Sequence, residues 1–269
     1  MNLIGRFLQD APLGAALLAL FLAMAIAREA GACAHRWLAP IADGVDQSGG
    51  DEGYILSAVL GLLALLVAFT FGLALDRHEA RRALVVTEAD ALGTAYLRAD
   101  LLDGPDRLQA LLRVYGEARL TYGQTSGETQ AAADRRAVVL QTRIWREAVA
   151  QVWPARQTTL APLVLQPLND LFDTATTRRA ALDARLPDIV LSTLALYVVV
   201  SAAFIGYAVT GAGGRHRIAS LALFGLLCLA MGVILDLDRP REGVIRVPQA
   251  AMADTLAEMR RPPQAARTP

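Results

Sequence analysis

The amino-acid sequence predicts an all-α integral membrane protein in which four transmembrane helices are interrupted, between the second and the third, by a helical domain. Three observations predict it. The chain is 54% hydrophobic and only 19% charged, with a mean hydropathy of +0.37, more apolar than a soluble domain. Four apolar stretches stand out, two of them plainly long enough to cross a bilayer core of about 30 Å at about 1.5 Å per residue. No segment alternates apolar and polar residues as a half-buried strand does, whereas the middle of the chain repeats apolar positions at helical spacing.

The first stretch, residues 12–27, is the shortest. Because it follows Arg6 and ends in Ala25-Ile26-Ala27, a cleaved signal peptide is its alternative reading. Asp10 is foreign to the basic lead of a signal, and the later spans make a signal unnecessary, so the stretch is read as span one. Residues 54–75 and 189–209 form spans two and three, and residues 218–235, shorter but free of charge, form span four. The implied organisation is spans one and two in 1–75, a helical domain in 76–187, spans three and four in 188–238, and a partly disordered tail in 239–269.

Every basic residue other than histidine is arginine, and the formal net charge is zero, so no global charge imbalance suggests a nucleic-acid partner. Arginine placement sets orientation. Arg77, Arg81, Arg82, Arg178, Arg179 and Arg185 flank the middle segment, and Arg239, Arg241 and Arg246 follow span four. The short loops hold Arg28, Arg36, Arg215 and Arg217. The positive-inside rule then places both termini and the middle segment in the cytoplasm of a multi-pass inner-membrane protein. Cys33 and Cys228 are too far apart in sequence, and too apolar in setting, to suggest a metal knuckle or a disulfide framework.

No proline interrupts residues 69–102, so span two is expected to continue as one helix out of the membrane to about Leu102. Gly104-Pro105 opens the next helix, with Leu108, Leu111, Leu112, Tyr115 and Tyr122 on its core face. A third is expected from about Thr129 to Trp153, burying Val138, Ile144, Trp145, Ala148 and Val152, until Pro154 stops it. The fourth, after Pro162, carries Leu168, Leu171, Phe172, Ala175 and Leu182 and reaches Pro187. The last residues, from Met259 onward, are expected to be disordered.

Span two carries two adjacent faces. Gly61, Ala64, Ala68 and Gly72 fall within about a quarter of the helix circumference and form a small-residue seam suited to close helix packing. Beside it, Leu62, Leu65, Phe69 and Leu73 form a bulky stripe that ends at Asp76. The stripe reads either as a lipid-facing surface or as a constriction with Asp76 below it. No acidic or basic residue lies within spans two to four, which argues against a proton-coupled carrier. If ions pass, the path runs down an oligomer axis.

The exit from span two holds Asp76, Arg77, Glu79, Arg81, Arg82, Glu88, Asp90 and Arg98. These read as a solvated helix face, each opposite pair contributing a few tenths of a kcal/mol. The alternative is a ring of arginines, Arg77, Arg81 and Arg82 with Asp76, around a vestibule that attracts anions. Asp236 and Asp238 are weak candidates for a hard cation, because two carboxylates supply too few oxygens. A membrane-exit turn suits them better. Only His35, His78 and His216 are present, with no zinc-binding histidine pair and no nucleophile elbow, so neither enzyme activity nor a cofactor is expected.

The run AFTFGLALDRHEARRALVVTEADALGTAYLRADLL (68–102), Ile144-Trp145 and LDLDRPREGVIRV (235–247) resemble the bestrophin-like family of bacterial membrane proteins. More distantly, Phe69, Asp76, Arg77 and Glu79 to Arg81 are similar to the end of the pore helix in bacterial bestrophins, as is the acidic-proline-glycine stretch from Asp236 to Gly243. The resemblance implies pentameric four-span channels with a helical cytoplasmic domain and a hydrophobic neck. It puts Phe69 at the inner end of that neck and Leu65 one turn above, with Gly61 where a third bulky residue would stand. The paired tryptophans after the arginine are missing, His78 is in their place, and the spacing to Glu79-Ala80-Arg81 is one residue shorter. Nothing matches the calcium clasp of animal bestrophins.

The function expected from these readings is an oligomeric, pentameric ion channel passing inorganic ions, with chloride weakly favoured. Its partners are then the lipid bilayer and further copies of itself. A non-conducting membrane scaffold that binds a partner through its cytoplasmic helices is the competing reading.

Overall fold

The computed structural model describes residues 2–42, 51–209, 214–241 and 243–261. Among them the chain forms nine α-helices, one short 3₁₀ turn at Trp153–Ala155, and no strand. The helices are α1 (Asn2–Asp10), α2 (Leu13–Ala42), α3 (Asp51–Ala99), α4 (Asp106–Gln124), α5 (Gly127–Val152), α6 (Leu160–Asp183), α7 (Asp188–Ala208), α8 (Gly214–Asp238) and α9 (Ala250–Met259). Four stretches are long and apolar enough to cross a membrane, and they belong to α2, α3, α7 and α8. Of the loop glycines between spans three and four, Gly211 and Gly213 lie outside the described residues and Gly214 begins α8.

The chain divides into two compact units: Met1–Arg77 with Arg185–Ile245, and His78–Ala184 with Arg246–Pro269. Helix α3 is 49 residues long and unbroken, and contributes its first half to one unit and its second half to the other. At about 1.5 Å per residue it measures about 74 Å, more than twice a bilayer core.

In the membrane unit, α2 and α7 cross at contact distance because each presents a glycine to the other. A Cβ at Gly31 would collide with the carbonyl of Ala203, and one at Gly206 with the carbonyl of Arg28. Lipid tails are as apolar as the helices, so such close backbone approach supplies the packing that hydrophobicity cannot. The core is completed by Leu20, Met24, Leu194, Val198, Phe224, Met231 and Ile234, with Leu63 and Ala74 from α3. Helix α2 runs well past the expected end of span one, through Arg28 and Glu29, which form an ion pair at 2.6 Å.

The nine-residue α1 was not foreseen. Its Gly5 seats against Asp188 and Ser192 at the start of α7. Gln9 Nε2 donates to the Leu186 carbonyl at 2.7 Å, and Arg239 Nη2 donates to the carbonyl of Leu8. Its apolar residues do recur at helical spacing, but nine residues are too few turns for that spacing to define a helix without the surface it packs on.

In the helical unit the core is built from Val85, Leu92, Leu108, Leu112, Tyr115, Ile144, Leu168 and Leu171, together with Met252, Leu256 and Met259 of α9. Helices α4 and α6 bury most of the expected stripe, although Leu111, Phe172 and Leu182 are only partly buried. On α5 the expectation is corrected. Val138 and Trp145 are exposed, and the buried stripe is Ala133, Ala137, Leu140, Ile144, Ala148 and Val152. One residue turns the helix by about 100°, so neighbours of the stripe face outward. Helix α6 begins before Pro162, accommodates Pro167 in its interior, and ends four residues short of Pro187. Pro167 lacks the N–H that would serve the carbonyl of Leu163, and Arg98 Nη1 donates to that carbonyl at 3.1 Å instead.

Residues 250–259, within the stretch expected to be tail, form α9 and pack into this core, with Met259 buried and its carbonyl accepting from Tyr96 Oη at 3.1 Å. The final segment expected to be disordered lies, from residue 262, outside the described residues.

Candidate functional site

Within the membrane unit, α3 turns Leu63, Thr70 and Ala74 inward and leaves its other faces uncovered. The bulky stripe is exposed along its whole length: Leu62 48%, Leu65 49%, Phe69 68% and Leu73 41%. The small-residue seam is also open. Gly61, Ala64 and Ala68 are exposed and Gly72 is half-buried, and a Cβ built at Gly61 or Gly72 meets nothing within 4 Å. No helix of the same chain therefore packs on the seam among the described residues, and both faces are available to lipid or to another copy. Thr70 Oγ1 donates to the Leu66 carbonyl at 2.8 Å, so the one polar group on this stretch is satisfied within the helix.

Below Leu73 the exit charges have separate fates. Asp76 and Arg82 are exposed, and Arg77 is half-buried with its Nη1 lacking a hydrogen-bond partner among the described residues. Glu79 and Arg82 form an exposed pair at 3.7 Å, as their spacing predicts. Arg81 corrects the expectation of a solvent-facing ring. It is 1% exposed, and donates through Nε to the Ala181 carbonyl at 3.0 Å and through Nη2 to the Ala184 carbonyl at 2.6 Å. Those carbonyls belong to the C-terminal turn of α6, where unpaired acceptors and the helix dipole favour a cation.

Glu88, expected on a solvated face, is fully buried. One of its oxygens pairs with Arg119 Nε of α4, and the other accepts from Arg119 Nη2 at 3.2 Å and from Arg178 Nη1 of α6 at 2.6 Å. Arg178 Nη2 also donates to Gln249 Oε1 at 2.6 Å, which ties the segment before α9 to the cluster. Asp134 of α5 pairs with Arg179 and lies 3.7 Å from Arg119. The Tyr122 ring lies 4.6 Å from the Arg119 guanidinium carbon, within cation–π range. Burial pushes the neighbouring Tyr115 phenol up to about 12, against the opposing pull of Arg119. The Glu88 carboxylate raises the Arg119 pKa further, although burial alone would lower it.

A signal for this cluster existed. Glu88 stands in register with Arg81, Val85, Leu92 and Ala95; Arg119 follows Leu108, Leu112 and Tyr115; and Arg178 follows Leu168, Leu171 and Ala175. A charge on the buried register of each of three helices implies that the three meet, because a lone buried ion is prohibitive.

Asp236 and Asp238 serve the backbone. Asp236 Oδ1 and Oδ2 accept from the N–H groups of Val244 and Ile245 at 2.8 and 2.7 Å, which closes the turn after α8. Asp238 Oδ1 accepts from the N–H of Leu186 at 2.7 Å. The candidate cation ligands are thus occupied as turn-forming acceptors, and among the described residues no group of three or more His, Cys, Asp or Glu is placed to hold a metal.

Comparison with curated proteins gives no match. Solved structures do match. A mutant bacterial bestrophin homolog from Klebsiella pneumoniae is 14% identical, with a TM-score of 0.70 over 93% of this chain and 97% of that one. A second mutant of that homolog gives 14% identity and a TM-score of 0.67 over 90% and 97% of the two chains. The homolog phased by zinc gives 15% and 0.65 over 90% and 97%. At this identity the likeness is one of fold. The bestrophin-like domain model matches residues 45–252, which includes α3, the whole α4–α6 segment and both later spans. The chain is therefore a multi-pass membrane protein that belongs to the bestrophin-like family.

Proposed function

We propose that the protein is an oligomeric, pentameric ion channel of the bacterial inner membrane. Both termini and the helical unit lie in the cytoplasm, and inorganic anions such as chloride pass along an axis lined by α3. The observation that carries the reading is the uncovered bulky stripe of Leu62, Leu65, Phe69 and Leu73 on a helix whose opposite side is packed. Five such stripes around an axis make an apolar constriction that resists ions by dewetting until it widens. Membership of the bestrophin-like family supports a channel, and Arg77, one turn beyond Leu73, supports a preference for anions. Asp76, Arg77 and Arg82 then border the vestibule, without Arg81. The seam of Gly61, Ala64, Ala68 and Gly72 is the surface on which the neighbouring copy packs. Because α3 is unbroken, the helix that forms the neck also carries Arg81 and Glu88 in the helical core.

Accessibility along the stripe tests this. In a variant lacking Cys33 and Cys228, Leu65→Cys is expected to make chloride flux from vesicles sensitive to a thiol reagent, whereas Phe71→Cys, half a turn of the helix away from Leu62, is not. Reagent-insensitive flux through both variants would remove α3 from the path. Absence of flux from folded, oligomeric protein would favour the scaffold.

A further inference from the structure

We propose that the helical unit holds a binding cleft between α4 and α5 for a soluble small molecule bearing a di- or polyphosphate group. The cleft encloses about 550 Å³, within the about 300–1,000 Å³ usual for small-molecule sites. Three guanidinium groups line it: Arg107 from the first turn of α4, and Arg143 and Arg146 from α5. Only one carboxylate opposes them, and it is already engaged. Glu147 Oε2 lies 3.1 Å from Arg107 Nε, and its Oε1 accepts from Gln151 Nε2 at 2.8 Å. Arg143 and Arg146 make no ion pair among the described residues.

Elsewhere on this unit Arg82, Arg135 and Arg260 sit beside the acids Glu79, Glu128 and Glu117, while Arg136 on α5 is, like Arg143 and Arg146, exposed and without an ion pair among the described residues. What sets the cleft apart is that three guanidinium groups are gathered in one concavity. Two like charges at positions i and i+3 of one helix repel each other, so an anion between them removes an existing cost. Guanidinium forks grip phosphate oxygens bidentately. Two unpaired forks and a third shared with Glu147 match two or more phosphate groups better than a single chloride. The floor, Leu111 and Val114, is apolar, and accommodates an uncharged body attached to the phosphates. The cleft lies wholly within one unit, and the inference stands whether or not the protein conducts.

The test is calorimetric titration of the full chain in nanodiscs of zwitterionic lipid, with inorganic pyrophosphate, inorganic triphosphate and adenosine triphosphate as probes, at about 0.1 M salt to suppress diffuse attraction. Saturable binding of one molecule per protomer is expected. It should weaken at least ten-fold in the Arg143→Gln/Arg146→Gln double variant and hold in Arg136→Gln, which alters an α5 arginine outside the cleft. Tighter binding of the nucleotide than of inorganic triphosphate would add the apolar floor to the site, and equal binding would leave it to the arginines alone. All positions altered are exposed, and an unchanged unfolding temperature confirms that the variants are folded. No saturable binding of any probe, or an equal loss in Arg136→Gln, would overturn the proposal.

Discussion

Glu88 is the only carboxylate in contact with both Arg119 and Arg178 among the described residues, so it compensates two buried cations at once. Removing one partner of a buried pair leaves the other charged and desolvated, which costs about 3–5 kcal/mol. Glu88→Ala is accordingly expected to lower the thermal unfolding temperature of the purified protein far more than Glu79→Ala, which breaks an exposed pair. Equal effects would show that the cluster is not a stabilising centre. Tyr115 gives a pH signature. Its folded pKa, about 12, lies above the 10.0 of an exposed phenol. The unfolded chain therefore loses this proton first, and the contribution is intact below pH 10 and declines as pH rises towards 12. The full loss is about 3 kcal/mol. Chemical unfolding between pH 9 and 12 should show this decline in the wild type and a shallower one in Tyr115→Phe.

The helices themselves differ in how they tolerate change, and the difference follows from which backbones touch. Gly206→Val would drive a side chain into the Arg28 carbonyl of α2, whereas Gly14→Val, on the same α2, enters open space. Overpacking of this kind costs about 1–3 kcal/mol, so Gly206→Val is expected to reduce folded yield and unfolding temperature while Gly14→Val stays near wild type. Similar values for both would contradict the close α2–α7 crossing. Elements of this size were legible in the sequence because their apolar runs and their 3.6-residue period extend over many turns. Ile144, Leu168 and Leu171 were placed correctly for that reason. Val138 and Trp145 were misplaced because α5 interleaves two apolar stripes, and side-chain size does not say which one its neighbours cover. Helices α1 and α9 were missed because each is at most ten residues long and owes its existence to what it packs on. The Glu88 cluster escaped because charges on α3 were read along one helix, where they resemble a solvated face; only the registers of α4 and α6 reveal their partners.

At the scale of the molecule, the chain leaves the bulky stripe of α3 uncovered where it crosses the membrane, and packs the register of Arg81, Val85, Glu88 and Leu92 in the continuation of the same helix within the helical unit. A helix that leaves its bulky stripe bare across the membrane and buries Arg81 and Glu88 in its continuation is suited to assembly around an axis, with Phe69 the most exposed residue of that stripe. The central claim is that this stripe forms the neck of an ion path. The most direct measurement is the current through planar bilayers holding the purified protein under a chloride gradient, for wild type and Phe69→Ala. Reversal near the chloride potential, with larger or less gated currents in the variant, is the predicted result. Folded, oligomeric protein of both kinds that carries no current, or currents that Phe69→Ala leaves unaltered, would contradict it.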